Sequence, residues 1–315
     1  MIRGENRAKA YFAVVTSVYI IISLVVAFLP EDFLTSEMSI ILGQSVVIIP
    51  GISYCLIKRK NIFKEIPFKK VSVLNILLVI LFTYAVLPIV TLINAISMLF
   101  VENEVNAVLN DFTKNPYILS LFMVAILPAV FEEFSFRGII FNGLKSKNIL
   151  YAIIVSGVSF GLFHMNINQF LYATVLGMIL ALLAEATGSI IAPMIMHFIF
   201  NANSVTLTYL LELLEKLTNS SETEQLAEET VGKSDLIIVI YFYVVIGLVA
   251  GVIAFLLLML IAKRCKRWEH IKSIFKANKS KEKKKILAQD VICTILYWMA
   301  IVVAVLVMII NEIAL

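Results

Sequence analysis

Two glutamates and an arginine lie close together within an apolar stretch of the sequence. The stretch runs from Tyr117 to Leu144, and Glu132, Glu133 and Arg137 interrupt it. An ionisable side chain at membrane depth costs several kcal/mol unless it is paired with another charge or lines a polar cavity. The three charges are therefore expected either to hold helices together or to take part in chemistry.

Helical spacing gives the two glutamates different surroundings. Glu133 and Arg137 are four residues apart and share one helix face, with the glutamate on the N-terminal side, which is the favourable order for an ion pair. Glu132 is rotated by about 100° and points elsewhere. Pro128, one turn earlier, leaves a backbone carbonyl without its helical donor. We expect Arg137 to neutralise Glu133 and Glu132 to face the interior of a helix bundle; the alternative is a buried network of all three charges.

Two of the three histidines in the chain also lie in apolar stretches. His164 ends the segment FGLFH, one helical turn after Phe160, and Gly161 between them permits the close approach of a neighbouring helix. His197 and Asn201 belong to HFIFN and share one side of a helix by the same spacing. Taken alone, His164 and the pair His197 and Asn201 are also explained as hydrogen bonding between helices.

Together these residue types have a chemical use. A carboxylate and an imidazole can jointly deprotonate a water molecule, and a second imidazole and an amide can hold the oxyanion that develops. Two histidines and a carboxylate could equally hold zinc. In either case the expected reaction is hydrolysis of an amide bond. We expect one intramembrane site at which five residues converge: Glu132, Glu133, His164, His197 and Asn201.

The composition is that of a membrane protein. Of the 315 residues, 61% are hydrophobic, compared with about 45–50% in soluble domains. A membrane-spanning helix needs about 20 apolar residues, and the candidate stretches are 10–29, 37–57, 71–100, 117–143, 149–165, 168–186, 189–213, 235–262 and 287–311. The predicted fold is all-α, a polytopic transmembrane helical bundle of about eight or nine spans with the site inside the bundle.

Charges in the connecting loops alternate as nine spans require. The N-terminal segment, the loops after spans two and four, and residues 263–285 are basic, whereas 101–116 and 214–234 are acidic. The positive-inside rule places the N-terminus in the cytoplasm and the C-terminus outside. Because the charges are segregated into loops, the net charge of +4 does not indicate nucleic-acid binding. The three cysteines are too scattered for a thiolate metal site or a disulfide framework.

The domain organisation follows from where the polar residues lie. We find no internal repeat, and the polar residues inside apolar stretches gather in spans four to seven. We expect one membrane domain in the cell membrane over residues 1–315, with a catalytic core at about 117–205, flanking spans in 10–100 and 235–311, and a basic cytoplasmic loop at 263–285.

Three motifs in this core resemble those of a known family. EEFSFRG matches EExxxR, FGLFH matches FxxxH and HFIFN matches HxxxN. In this order and spacing they are similar to the motifs of the CPBP family, the CAAX proteases and bacteriocin-processing enzymes that are also called the ABI family. The resemblance implies an intramembrane endopeptidase with its site enclosed in a helical bundle. It covers about residues 117–205, less than a third of the chain.

The resemblance also implies a role for each motif residue. Glu132 and His164 would activate the water molecule, His197 and Asn201 would stabilise the oxyanion, and Glu133 and Arg137 would support them. A glutamate-dependent mechanism without a cofactor is favoured over a zinc-dependent one, and the chain contains no HExxH motif. If the enzyme used zinc, the ligands would be Glu132, His164 and His197.

The expected partners are the lipid bilayer and a membrane-associated protein or peptide substrate. Eukaryotic relatives cleave prenylated CAAX tails, whereas many bacterial relatives act on peptides that carry no prenyl group, and we do not expect a prenylated substrate here. A catalytically inactive scaffold or bacteriocin-immunity protein of the same fold is one alternative. A transporter that uses Glu and His as a proton relay is another, but it should show an internal repeat.

Overall fold

The computed structural model describes residues 4–30, 33–57, 66–101, 109–145, 148–218, 233–276 and 288–314. Over these ranges the chain is helical and contains no β-strand. The helices are α1 (Gly4–Val26), α2 (Ser36–Ile57), α3 (Val73–Ser97), α4 (Tyr117–Leu144), α5 (Ile149–Phe163), α6 (Ile167–Thr187), α7 (Ile191–Thr218), α8 (Lys233–Arg264), α9 (Trp268–Ile274) and α10 (Ala288–Ala314). The predicted all-α class is therefore confirmed.

The lengths of the helices agree with a multi-pass membrane protein. Within the described ranges, eight helices are long and apolar enough to cross a membrane, and α5 is a shorter apolar helix of 15 residues. Large apolar side chains on α8 and α10 point outward, for example Leu248 with 71% of its surface exposed and Ile310 with 61%. A lipid-facing helix requires such an outer surface, because its environment is as apolar as the core. The predicted eight or nine spans are present as eight long helices and α5.

Helix ends that carry basic residues meet on one face of the bundle, which we call the basic face. The Lys9 ammonium at the start of α1 donates to Thr294 at the start of α10, 3.0 Å away. Near the end of α6, Glu185 pairs with Lys145 and Arg267, at 3.1 and 2.8 Å. The sequence predicts that the basic segments share one side of the membrane. In the described residues, Lys9, Lys145 and Arg267 do lie at the same end of the bundle.

The opposite end of the bundle, which we call the acidic face, joins α2 to the segment before α4. The Asn115 amide donates to the Glu37 carboxylate at 2.6 Å, and Lys114 pairs with Asp111 at 2.7 Å. The predicted basic loop 263–285 and acidic loops 101–116 and 214–234 lie partly outside the described residues. Which face is cytoplasmic remains a prediction from the positive-inside rule.

Helices α5 and α6 form an antiparallel hairpin whose turn lies inside the bundle. A helix of 15 residues is about 22 Å long, whereas the hydrocarbon core is about 30 Å thick. The turn passes through Met165, which has a positive φ of 51°, and Asn166 caps α6 by accepting the Gln169 N–H at 2.8 Å. The Asn311 amide of α10 donates to the Met165 carbonyl at 3.3 Å. Irregular backbone at membrane depth needs such partners.

Glycine lets the two helices of the hairpin pack closely. A Cβ atom at Gly161 of α5 would lie 2.6 Å from the Phe170 carbonyl oxygen of α6 and even nearer to the Thr174 hydroxyl. A Cβ at Gly157 would lie 2.5 Å from the Met178 Cγ atom. The close helix approach predicted at Gly161 is thus confirmed. It places His164 at the end of α5 directly beside α6.

We predict that Gly161→Ala destabilises the protein by about 1–3 kcal/mol, because the added methyl group forces the α5–α6 backbones apart. Gly43→Ala is the matched control, since a Cβ at Gly43 meets nothing within 4 Å. The control should be neutral or gain up to about 1 kcal/mol in helix propensity. Thermal unfolding of both purified variants in detergent is the measurement. Equal midpoints for the two variants would contradict the close packing.

Candidate active site

The two glutamates lie in an α-helical stretch of α4, Leu127–Glu133, between two stretches of π-helix. The π-helical stretches are Leu121–Ile126 and Phe134–Phe141. Local π-helix often occurs at functional sites, because it changes the direction in which side chains project. Both carboxylates are in the interior, with 8% of Glu132 and none of Glu133 exposed.

Glu133 is the centre of a buried chain of charged groups. Its Oε1 atom accepts hydrogen bonds from Arg137 Nη1 at 2.7 Å and from His197 Nδ1 at 2.9 Å. Arg137 Nη2 donates to the Gly177 carbonyl at 3.0 Å, and its guanidinium carbon lies 4.4 Å from the centre of the Phe160 ring. The predicted Glu133–Arg137 pair is therefore present. The bond from His197 to Glu133, in contrast, does not follow from the motif spacing.

Glu132 is not part of the Glu133–Arg137 ion pair, but it approaches the other side of the same His197 ring. Its Oε1 atom accepts a hydrogen bond from Gln44 Nε2 of α2 at 2.8 Å, and its Oε2 atom lies 4.0 Å from His197 Nε2. Gln44 is outside the three motifs, and the sequence analysis missed it. The available signal was an amide side chain in the middle of the apolar segment ILGQSVV.

The hydrogen bond to Glu133 fixes the orientation of the His197 ring. A carboxylate paired with arginine only accepts hydrogen bonds, so His197 Nδ1 carries the proton. In the neutral ring, Nε2 then carries a lone pair that faces Glu132. A distance of 4.0 Å is too long for a direct hydrogen bond. Glu132 Oε2 and His197 Nε2 therefore face each other with both atoms available to a third group.

His164 lies at the C-terminal end of α5 and is partly buried. Its Nδ1 atom bonds the Phe160 carbonyl at 2.8 Å, so in the neutral ring this nitrogen donates and Nε2 keeps its lone pair. The Phe160 ring packs edge-on against both histidines, with centroids 5.0 Å from His164 and 5.8 Å from His197. His164 is also within electrostatic range of Glu132, Arg137 and His197. The fold thus brings His164 and His197 to one aromatic ring, with the Glu132 carboxylate within electrostatic range of His164.

Asn201 is engaged in a contact between helices. Its Nδ2 atom donates to the Val124 carbonyl of α4 at 3.0 Å. Val124 lies in the π-helical stretch just before Pro128, whose missing N–H interrupts the backbone hydrogen bonding of α4. Asn201 thus bonds α7 to a carbonyl of α4 beside this interruption. One N–H of the Asn201 amide remains for another partner.

The three residues expected to bind zinc if the enzyme were metal-dependent do not form a ligand set. A catalytic zinc site needs about three protein ligands within about 2.0–2.3 Å of the metal. Across the described part of the chain, no three His, Cys, Asp or Glu side chains come together in a way that could hold a metal ion. Each of the three side chains has another partner: Glu132 bonds Gln44, His164 bonds Phe160 and His197 bonds Glu133.

Comparison with known proteins points to the same segment. Residues 114–203 match the family described as type II CAAX prenyl endopeptidase Rce1-like. This segment, less than a third of the chain, is therefore similar to that family. The match contains the three motifs, and the predicted resemblance to CAAX endopeptidases is confirmed. Gln44 and Asn311, which contact the site and its hairpin, lie outside the Rce1-like segment.

A curated protein is similar to part of the chain. YdiL of Bacillus subtilis (strain 168), a candidate membrane peptidase, is 33% identical over 84 residues, which cover 26% of this chain and 34% of that protein. The chain thus matches about a third of the length of this relative. No solved structure matches the chain.

We predict that Arg137→Met destabilises the protein by about 3–5 kcal/mol, because Glu133 stays buried without its cation. Adding Glu133→Leu should recover part of this loss, since a buried pair replaced by apolar groups is tolerated. Lys114→Met, which removes an exposed paired cation, is the control and should unfold like the wild type. Thermal unfolding in detergent is the measurement. An Arg137→Met protein of normal stability that only cleaves slowly would contradict this division of roles between the glutamates.

We predict that Asn201→Leu lowers stability by about 1–3 kcal/mol, because the Val124 carbonyl loses its donor. Pro128→Ala restores an N–H to the backbone of α4 beside Val124, so the double variant should be more stable than Asn201→Leu alone. A double-mutant cycle of unfolding free energies measures this coupling. If the two effects simply add, the Asn201 bond does not compensate for the interruption at Pro128.

Proposed function

We propose that the protein is an intramembrane endopeptidase that hydrolyses peptide bonds of membrane-associated proteins or peptides without a metal ion. The observation that supports this most is the pair of facing atoms, Glu132 Oε2 and His197 Nε2, 4.0 Å apart inside the bundle. Both groups are oriented by further hydrogen bonds, from Gln44 to Glu132 and from His197 to Glu133. Such preorientation is what acid–base catalysis requires.

Glu132 is the proposed general base. Its Oε2 atom removes a proton from a water molecule, and the resulting hydroxide attacks the carbonyl carbon of the scissile peptide bond. His164 assists through its unprotonated Nε2, which the bond from Nδ1 to the Phe160 carbonyl leaves free. The proton held by Glu132 then passes to the leaving amine nitrogen, so that the carboxylate is regenerated.

His197 and Asn201 are the proposed oxyanion ligands. A carboxylate on Nδ1 stabilises the imidazolium form of a histidine, as it does in serine protease triads. With Glu133 in that position, a protonated His197 donates from Nε2 to the developing oxyanion. Asn201 contributes the N–H that its bond to Val124 does not use. Arg137 acts indirectly as a positioning residue, because it holds Glu133 in place.

The proposed orientation puts the basic face on the cytoplasmic side, with the N-terminus in the cytoplasm and the C-terminus outside. One membrane domain over residues 1–315, with its catalytic core at about 117–205, remains our proposal for the organisation of the chain. The lipid bilayer and a membrane-associated peptide or protein are the proposed partners.

A catalytically inactive scaffold of the same fold is the second candidate. The observation that favours it is the structural use of Asn201, whose amide satisfies the Val124 carbonyl of a neighbouring helix. A scaffold needs the shape of the site but not its acid–base groups. The two candidates therefore differ in their response to a substitution that keeps the shape and removes the base.

We predict that Glu132→Gln lowers peptide cleavage on the order of 10²-fold or more, because it removes the general base and keeps the bond to Gln44 possible. His164→Ala should also abolish cleavage, and both variants should stay folded. Glu269→Gln, an exposed paired glutamate on α9, is the control and should cleave like the wild type. Cleavage of a library of quenched-fluorescent membrane peptides is the measurement.

The same preparations should be tested for metal content by elemental analysis and for activity with and without a chelator. Cleavage by metal-free protein that survives chelation and is lost in Glu132→Gln is the expected result. Stoichiometric zinc together with chelator-sensitive cleavage would contradict the metal-free mechanism. If the wild type and Glu132→Gln are equally inactive on the library, the result favours the scaffold.

A further inference from the structure

A large cavity lies between α3 and α7 and is separate from the acid–base residues themselves. Its volume is about 790 Å³, within the range of about 300–1,000 Å³ found for ligand sites. Lys114 and Glu212 line its mouth, at the acidic face of the bundle. We call this cavity the α3–α7 groove. Its polar lining residues include Thr91, Asn94, Tyr172, Asn203, Ser204 and Thr208.

The groove continues the helix face that carries two of the candidate catalytic residues. The lining positions on α7 follow one another at intervals of three or four residues, and they are Phe200, Asn203, Ser204, Leu207, Thr208 and Leu211. His197 and Asn201 do not line the groove but lie next to this stripe, because each is three residues before a lining residue, Phe200 or Ser204. A ligand lying along this side of α7 would therefore reach His197 at its inner end.

A second helix connects the groove to the site. Tyr172 of α6 lines the groove and is within electrostatic range of the Glu132 carboxylate. Phe200 lines it one turn after His197. Two lining residues therefore point to the inner end of the groove as the end nearer to Glu132 and His197.

The lining of the groove is unsuited to a purely hydrocarbon ligand. Nine of its sixteen lining residues carry a hydroxyl, amide or charged side chain, without counting Tyr172. Among the residues described, the side chains of Thr91, Asn203 and Ser204 have no hydrogen-bond partner. A polyisoprenoid chain has no donors or acceptors, so binding it would strip water from these groups without replacing their hydrogen bonds.

An extended peptide matches the same lining. Its backbone N–H and C=O groups can pair with the hydroxyls and amides, while Leu207 and Leu211 of α7 and Leu87 of α3 can contact its apolar side chains. The two charges at the mouth are already compensated, since Lys114 pairs with Asp111 and Glu212 with Lys216. The groove is therefore polar but close to neutral, which favours an uncharged peptide segment.

We propose that the α3–α7 groove is the substrate-binding groove and that it takes an extended, unprenylated peptide segment that enters from the acidic face. This inference rests on the proposed peptidase function. By the positive-inside rule the acidic face is the non-cytoplasmic side of the membrane. The substrate would then be a membrane-associated peptide or the exposed end of a protein on that side, with its scissile bond at the inner end of the groove.

The first experiment fills the groove without changing a catalytic residue. Ser204→Trp should raise KM for unmodified quenched-fluorescent peptides roughly ten-fold or more, because contacts along the groove are blocked. Leu210→Trp is the matched control on the same helix, since Leu210 is 50% exposed on the outer surface. It should leave KM and the unfolding midpoint unchanged. If the wild type is active and KM is unchanged in Ser204→Trp, the groove does not bind the substrate. The proposed peptidase function would not be contradicted by that result.

The same assay tests the ligand class. The peptides should be compared with a farnesylated CAAX peptide of equal length, and the unmodified peptide is expected to be cleaved at least as well. A clear preference for the farnesylated peptide, lost in Ser204→Trp, would overturn the peptide assignment.

A second experiment tests the groove without relying on cleavage. Ser204→Cys is made in a background in which the three native cysteines are replaced, and it is labelled with a membrane-impermeant maleimide. Lys114→Cys and Lys69→Cys serve as references for the acidic and basic faces. We expect Ser204→Cys to react from the same side as Lys114→Cys, and Leu210→Cys to stay unlabelled. Labelling only from the side of Lys69→Cys would overturn the proposed entrance, even if no peptide in the library were cleaved.

Discussion

The buried carboxylate of Glu133 is the group on which the rest of the site depends. It has no exposed surface, and a charge in such a place is tolerated only with close partners. Arg137 supplies the compensating charge from the next turn of α4, and the same oxygen of Glu133 also accepts the hydrogen bond that orients His197. One ion pair thus links the stability of the bundle to the direction in which His197 Nε2 points, toward Glu132.

A second constraint is the irregular backbone within the bundle. Pro128 interrupts the backbone hydrogen bonding of α4 beside Val124, and the α5–α6 turn passes through Met165, which has a positive φ. In the membrane a carbonyl at such an irregular place needs a partner from the protein. The partners of the Val124 and Met165 carbonyls are amide side chains on other helices, Asn201 of α7 and Asn311 of α10. These amides fix α4 and the hairpin relative to the surrounding helices, so that Glu132 and His164 are brought to the same region.

The α3–α7 groove and the acid–base residues share helix α7. Its inner half carries His197, bonded to Glu133, and its outer half carries the groove lining from Phe200 to Leu211. A rigid helix that does both would hold a bound peptide in a defined register relative to Glu132. Precise placement of this kind lowers the barrier of the chemical step, because less freedom is lost when the reacting atoms meet.

The amino-acid sequence alone determined the class of the fold and the candidate residues. Apolar stretches of sufficient length specify membrane helices, and helical spacing pairs Glu133 with Arg137, because both are local properties of the chain. The close approach of a second helix at Gly161 is local in the same sense, and it is found. Helical spacing also leaves Glu132 out of the Glu133–Arg137 ion pair, since adjacent helical residues are rotated by about 100°.

Only the tertiary structure decided which partners these residues have. The bonds from Gln44 to Glu132, from His197 to Glu133 and from Asn201 to Val124 join residues 64 to 88 positions apart. No periodicity within one helix can specify such contacts, because they depend on how separate helices pack and rotate against each other. The same holds for the groove, whose walls come from α3, α6 and α7. Local spacing fixes the face on which a side chain lies, and the packing of the bundle fixes what that face meets.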